Sequence, residues 1–430
     1  MRKAVVRMML AGFALRLVVI AFMVPEHMNP ILDHWNFGWE MGRVARSLYE
    51  GQGFSSPLFQ NSGPTAWMAP GYPILLAGIF KIFGLFTAAS AWAILILNSI
   101  FSVATILSVV AIARRFFGDR LAKIAGWTWV VFPYSVYLSA GRIWENTLTT
   151  MMMSFVLWLT LELVDKPTTA KWIGWGTLWG LGALISPAIV GVLPLLGLWV
   201  AYRHQKEGRR WLPQAATAAL IFWVVLSPWV IRNYVVFNQF IPLRDNFWLE
   251  MHVGNNGDTS DVTPDSAHPS NDKSEFEQWT RLGEIGYMNA KKLETKAYIR
   301  AHPGFVAWLT VRRFVYTWTG FWSLDPKFLA NEPFHIPNVL FDTSMTVLLL
   351  LGFRFAFRNG HGLDLVPLLL VLIGFPLVYY LTHPSMDYRH PIDIIIVIFG
   401  CYGVNEMVAG RRAEVPRKEE DDSVEELATS

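Results

Sequence analysis

Apolar positions run through this chain in long unbroken blocks, not in the alternation of a half-buried strand or the three-four spacing of a surface helix. The blocks occupy residues 4–24, 88–112, 121–140, 145–164, 172–186, 188–202, 212–231, 338–357, 364–382 and 391–408. A helix that crosses the bilayer core needs about 20 mainly apolar residues, and only helices and closed barrels satisfy every backbone polar group there. The pattern predicts an all-α, polytopic membrane protein of about ten transmembrane helices. The block at 172–186 is short and Gly-rich for a full span.

One further apolar stretch breaks the pattern. "GYPILLAGIFKIFGLF", residues 71–86, carries Lys81 inside it and is shorter than a comfortable span. It reads as a re-entrant or interfacial helix whose start is marked by Pro70 and Pro73. Counting it as a span would also move the basic loop at 113–123 to the wrong side.

Lysine and arginine then set the orientation. They collect in Met1 to Arg7 and in the segments 113–123, 165–171, 202–210 and 353–360, and again from Arg411. By the positive-inside rule these face the cytoplasm. The same parity puts two long segments, 25–87 and 232–337, on the outer face with the short turns at 141–144 and 383–390. Four regions follow: 1–237, a transmembrane module with its first outer loop; 238–337, an outer loop domain with helices; 338–410, the C-terminal spans; and 411–430, a charged cytoplasmic tail of disordered composition. The first block has no small-residue cleavage site before Pro25, so it is expected to stay as a span.

Composition adds little to this. The chain is 53% hydrophobic and 16% charged, with a net charge of +3 spread over the inner loops, which is membrane topology and no argument for nucleic acid. The single Cys401 forms no intrachain disulfide. No Gly-rich phosphate loop, CxxC pair or HExxH is present, and no Asn-x-Ser/Thr acceptor site, which points to a bacterial inner (plasma) membrane.

Polar groups at membrane depth are costly unless they face protein or water, so those grouped at one end of several spans are functional candidates. On the outer side they are Asp33, His34 and Glu40 in "PILDHWNFGWEMGRVARSLYEG"; Arg142 and Glu145 in "SAGRIWENTLTT"; Arg232 and Asn233 in "SPWVIRNYVVF"; Asn255 and Asn256 in "MHVGNN"; and His383, Asp387, Tyr388, Arg389 and His390 in "THPSMDYRHPID". Four separate segments contribute, so a bundle can bring them to one cavity.

The order of these pieces resembles the GT-C superfamily of integral membrane glycosyltransferases. The branch is the one that includes the protein O-mannosyltransferases (glycosyltransferase family 39) and the aminoarabinose transferase of lipid A. The carrying residues are Asp33 soon after the first span, "LYEGQGFSSP", "GPTAWMAPGYPILLAGIFKIFG" at 63–84, the "RIWEN" turn, "SPWVIRNYVVFNQFIPL" at 227–243 leading into "GNN", and "MDYRHPIDIII" at 386–396. The resemblance implies transfer of a hexosyl, mannosyl or pentosyl group from a polyprenyl-phosphate donor to a glycan, lipid or protein acceptor, with Asp33 as general base. Arg232, Arg389 and His390, with Arg142, are then the candidates to receive the charge of the departing phosphate. Trp35, Trp67 and Tyr388 are candidate platforms for a sugar ring. The outer loop 238–337 is the candidate acceptor-binding element, with two helices broken at His302-Pro303.

Each residue also has a plainer reading. Asp33 could cap a helix running from His34 to Glu50, and Glu145 could be a helix-start charge favoured by the dipole. Arg232 and Arg389 could be snorkelling anchors, Asn255 and Asn256 turn residues, and His34 and His383 interfacial fillers. Aminoarabinose-type members carry a second acid before the re-entrant helix, where this chain reads "TAWMAPGYP". No metal and no other cofactor is therefore expected. Two rivals share the hydropathy, a transporter or lipid-carrier flippase and a non-catalytic scaffold. A transporter would carry its ionisable groups near the midplane, whereas here they gather at the outer ends.

Reporter fusions test the topology. Residues 60 and 280 should lie outside and residues 118, 206 and 420 inside; a reporter at 118 read outside would make 71–86 a full span and break the shared outer site.

Overall fold

The computed structural model describes residues 1–28, 36–58, 61–259, 267–320 and 335–414. The first half holds α1 (Arg2–His27), α2 (Glu40–Tyr49), α3 (Gly71–Phe83), α4 (Ala88–Val131), α5 (Pro133–Ala140), α6 (Asn146–Asp165), α7 (Thr169–Ile185), α8 (Leu193–Lys206) and α9 (Leu212–Phe237). The second half holds α10 (Phe247–Gly254), α11 (Lys273–Ala301), α12 (Pro303–Thr319), α13 (His335–Arg358), α14 (Val366–Gly374), α15 (Leu377–Leu381), α16 (Met386–Arg389) and α17 (Asp393–Glu414). Among the described residues eight helices are long and apolar enough to cross a membrane.

All ten apolar blocks are helical, and two features reduce them to eight. The blocks at 88–112 and 121–140 are joined within α4, which reverses at Gly118 (φ 79°), a left-handed conformation that glycine adopts without a Cβ clash. The reversal brings Gly126 against Val110 and Met8, where an added Cβ would lie 2.8 Å from a side-chain atom of each. The second feature is α7, 17 Trp- and Gly-rich residues that are not among the eight. The stretch read as a re-entrant or interfacial helix is α3, 13 residues closed by Gly84. At about 1.5 Å per residue it is too short for a core of about 30 Å.

A proline break organises the first bundle. Phe132 precedes Pro133 and is extended (φ −62°, ψ 121°), because the ring of a following proline disfavours the helical region. The carbonyls this frees at membrane depth need donors. Ser135 Oγ donates to Trp129 O at 2.7 Å, and the wholly buried Arg16 of α1 donates to Val130 O at 3.3 Å. Arg16 also donates to Ser139 Oγ (2.9 Å), Ser102 Oγ (2.9 Å), Ser135 Oγ (3.0 Å), Ser135 O (3.2 Å) and its own-helix Gly12 O (3.0 Å). One guanidinium thus ties α1, α4 and α5 together.

The two ends of the bundle differ. At one end the basic segments are crosslinked: Arg115 pairs with Asp165, Arg203 with Asp364 at 3.0 Å, and Arg209 donates to Val164 O at 3.0 Å. At the other end the two long segments pack on each other. Asp245 N donates to Ala66 O at 3.1 Å and Trp279 Nε1 to Ser62 O at 3.3 Å. There α11 starts at Asp272, whose side chain accepts from Glu275 N, and gives way to α12 at His302-Pro303, as the sequence predicts. A kink at Gly283 (φ 67°) within α11 has no counterpart in the sequence reading.

The expected helix from His34 to Glu50 is corrected. It begins at Glu40, because Gly38 (φ 91°) and Trp39 (φ 46°) cannot continue a helix, and Trp39 holds the N-cap position. Asp33 and His34 lie outside the described residues; Asp33 is not the cap of α2.

The second half is clamped by Arg313 of α12. It donates to Gly254 O, to Leu381 O at 3.0 Å and to Asn255 Oδ1 at 3.2 Å, holding the end of α10 on the segment after α15. Gly254 permits this approach, since a Cβ there would run into the Thr382 carbonyl. Gly254→Ala should lower stability by about 1–3 kcal/mol through overpacking. Thermal unfolding of the purified protein in detergent checks this, and a Gly254→Ala protein as stable as the wild type would mean that the clamp tolerates a methyl group.

Candidate active site

A cavity of about 920 Å³ opens at the end that carries the two long segments. Helix α2 contributes Trp39, Glu40 and Arg43, the start of α6 contributes Trp144 and Glu145, and the segment before α3 contributes Trp67. Arg244, Asn246 and Glu250 come from the approach to α10 and from α10 itself; Tyr379, His383 and Tyr388 come from α15 to α16; His268 and Ser270 come from the loop before α11. Pro376 and the backbone break at Thr382 (ψ −98°) turn the chain so that His383 and Tyr388 face this space.

Three carboxyl groups therefore share one cavity, in two different states. Burial pushes Glu40 and Glu145 up to about 7, each further raised by a neighbouring carboxylate, Glu250 for Glu40 and Asp387 and Glu40 for Glu145. Ser270 Oγ donates to Glu40 Oε1 at 3.3 Å, whereas Glu145 Oε2 is buried with no partner among the described residues. Glu250 goes the other way. Burial works to raise it, but a hydrogen bond from His383 and the charges of His383, Arg244 and His268 hold it down at about 2. Asn246 Nδ2 donates to Glu250 Oε1 at 2.6 Å, and His383 Nε2 lies 2.8 Å from Glu250 Oε2. Arg244 faces these acids, and its field lowers Glu145 and Glu250.

The sequence model of the family described as dolichyl-phosphate-mannose-protein mannosyltransferase matches residues 67–231. The oligosaccharyltransferase of Archaeoglobus fulgidus, solved in complex with Zn and sulfate, superposes with a TM-score of 0.54 at 15% identity, over 95% of this chain and 50% of that one. The fold is that of the GT-C glycosyltransferases. The same archaeal enzyme, AglB, in complex with an inhibitory peptide and a dolichol-phosphate also gives 0.54 at 15% identity, over 96% and 51%. This chain thus spans about half the length of those relatives. ArnT from Cupriavidus metallidurans, bound to undecaprenyl phosphate, aligns over 95% of this chain and 80% of its own with a TM-score of 0.41 at 14% identity. No curated protein sequence matches the chain.

Within this GT-C fold the residues singled out from sequence separate into two groups. Glu40, Glu145, His383, Tyr388 and Trp67 line the cavity. Arg142 stands beside it, paired with Asp387 at 3.0 Å and lying over the Trp39 ring. The others hold backbone or one another. Arg232 donates to Phe54 O (2.6 Å), Thr65 O (2.7 Å) and Asn233 Oδ1 (2.9 Å), and Asn233 donates to Ile241 O. Asn255 donates to Met251 O and Leu381 O, and Asn256 to His252 O. Arg389 is buried in an ion-pair network with Asp342 (2.5 Å) and Asp393 (3.2 Å), and His390 bonds Asp393 while stacking on Trp129. The structure therefore places Arg232, Arg389 and His390 away from the cavity.

Sequence reasoning passed over Arg244 and Glu250, although both lie in "LRDNFWLEM", directly between two of the quoted motifs. A cluster of three charges inside an otherwise apolar approach was the available signal. Among the described residues no group of three or more His, Cys, Asp or Glu side chains is placed to hold a metal ion.

The raised Glu145 gives a pH test. Its native carboxyl binds a proton more tightly than the unfolded one, so stability is greatest below the ordinary value of about 4.5 and falls as pH rises through about 7. Glu145→Gln removes that fall. Its stability in detergent should match the wild type near pH 4 and exceed it at pH 8, by at most about 3 kcal/mol at 1.36 kcal/mol per pK unit. Equal thermal midpoints at both pH values would mean that Glu145 titrates as if solvated.

Proposed function

We propose that this protein transfers a sugar from a polyprenyl-phosphate carrier to a hydroxyl group of a glycan, lipid or protein acceptor, within the cavity described above. The observation that carries the reading is the convergence of three carboxyl groups, Arg244 and the rings of Trp39, Trp67 and Trp144 on one space of about 920 Å³ in a GT-C fold. That volume is at the upper end of the range for small-molecule sites, room for a sugar and an acceptor group together. The family description names a dolichyl-phosphate-linked sugar, and AglB is solved with a dolichol-phosphate. Both support a polyprenyl-phosphate donor for this chain.

The chemistry assigns the roles. The acceptor hydroxyl loses its proton as it attacks the anomeric carbon, and Asp33 is the proposed proton acceptor. The carrier leaves as a phosphate whose growing charge Arg244 is placed to meet, replacing Arg232 and Arg389 in that role. The indole rings offer flat apolar faces to a pyranose. The long segments face the outside of a bacterial inner membrane, with both termini in the cytoplasm.

The general base is tested by substitution. Since Trp39 is the N-cap of α2, neither Asp33→Asn nor Asp33→Ala removes the cap of that helix, and both should fold in the membrane. Both should lose transfer by about 10²- to 10⁴-fold. Mass spectrometry of cell-envelope glycans should give the same profile for either variant as for a strain lacking the protein. Near-normal transfer by a well-folded Asp33→Asn protein would sink the assignment.

A further inference from the structure

We infer that His383 is a second catalytic residue of this cavity, positioned by Glu250 and Asn246 to present an N–H at Nδ1 to the phosphate of the departing carrier. The inference rests on the reading proposed above. Its basis is a chain of hydrogen bonds between segments far apart in sequence: Asn246 Nδ2 donates to Glu250 Oε1 at 2.6 Å, and Glu250 Oε2 lies 2.8 Å from His383 Nε2. All three residues line the cavity.

The bonding leaves one ring nitrogen for a ligand. A carboxylate only accepts hydrogen bonds, so Nε2 must carry the proton that Glu250 receives. Nδ1 is then the free nitrogen, and it is buried with no partner among the described residues. Buried polar atoms are satisfied in the great majority of cases, so an orphan on a residue that lines a cavity points to a group that binds there. In the doubly protonated imidazole Nδ1 is a donor as well. Arg244 faces the same space, so an anion entering it meets two donors.

The step balances. The acceptor oxygen forms its bond to the anomeric carbon as the bond from that carbon to the phosphate oxygen breaks, and the electron pair stays on phosphate. The hydroxyl proton passes to Asp33. The phosphate oxygen, now bearing an additional charge, takes a hydrogen bond and then the proton from His383 Nδ1, leaving a neutral ring still bonded to Glu250.

A purely structural reading is that the Glu250–His383 pair ties α10 to the segment after α15. The two readings differ in a measurable way, because His383→Gln can keep the bond to Glu250 through its amide while it has nothing at the Nδ1 position. The experiment compares binding of farnesyl phosphate and farnesol, a short prenyl monophosphate and its alcohol, to the purified full-length protein in detergent. Wild type should prefer the phosphate. His383→Gln should weaken phosphate binding by about tenfold or more and leave farnesol binding unchanged, which also reports that the variant is folded. Glu250→Gln, which keeps a hydrogen-bonding amide without the charge, should lose part of the same preference, an effect that loss of a tie alone would not produce. If the His383→Gln protein fails to fold, Glu250→Gln carries the comparison. A wild-type preference retained by a folded His383→Gln protein overturns the role of His383 and leaves the proposed function standing. No preference in the wild type overturns both.

Discussion

A guanidinium buried in the first span has to be satisfied by protein, because lipid offers no hydrogen bonds. Arg16 meets that demand with six acceptors drawn from α1, α4 and α5. The desolvation of an arginine costs several kcal/mol unless its donors are matched. Its partners are therefore constrained as tightly as it is. One of them, Val130 O, lies just before the Pro133 break, so the same residue that costs so much to bury also satisfies a carbonyl that the break leaves open. The consequence reaches the cavity. Helix α1 leads into the first long segment, which carries Glu40, and α5 leads into the turn that carries Glu145. His27 closes the link, with one ring nitrogen 3.0 Å from Asn36 O and the other 3.2 Å from Gly141 O.

The second half uses the same economy at another place. Arg313 is satisfied by carbonyls at the end of α10 and of α15 and by the Asn255 side chain, and burial pushes it down to about 10. It holds Glu250 and His383 on facing elements without touching either. Arg389, Asp342 and Asp393 do this a third time between α13 and α17. Buried charges in this protein are mostly joints, and joints sit where the sequence has to break a helix.

That explains how far the sequence could be read. The spans were legible because bilayer thickness imposes a length and a composition that nothing else in the chain shares. The lysines and arginines grouped segments that do meet, since the Arg115–Asp165 pair joins 113–123 to 165–171. The break at His302-Pro303 was visible as turn chemistry. What a charge does once inside was not legible, since Arg232, Arg389 and Arg244 are the same residue type near the same membrane boundary. Only packing separates them: Arg232 has three acceptors within 2.9 Å and aromatic rings around it, and Arg389 two carboxylates. Gly38 and Trp39, which delay α2 from His34 to Glu40, were equally silent, because a positive φ at tryptophan is a tertiary choice and not a local preference.

The charge balance of the cavity follows from the same distinction. Three carboxyls share the cavity with two arginines, Arg43 and Arg244, and two histidines, and the fold gives the carboxyls unequal partners. Glu250 receives Asn246 and His383 and stays charged; Glu40 has a single hydroxyl and Glu145 leaves an oxygen unmatched, so burial favours their neutral forms. Environments that push similar groups apart are how one site holds proton donors and acceptors at the same pH. A ligand bringing a phosphate adds charge of the sign that Glu250 already carries. The cost of that approach falls on Arg244 and His383, while Glu40 and Glu145, in the neutral forms that burial favours, can donate to hydroxyl oxygens without opposing it. In the proposed function, Arg244 and His383 would meet the anion and Glu40 and Glu145 the neutral hydroxyl groups.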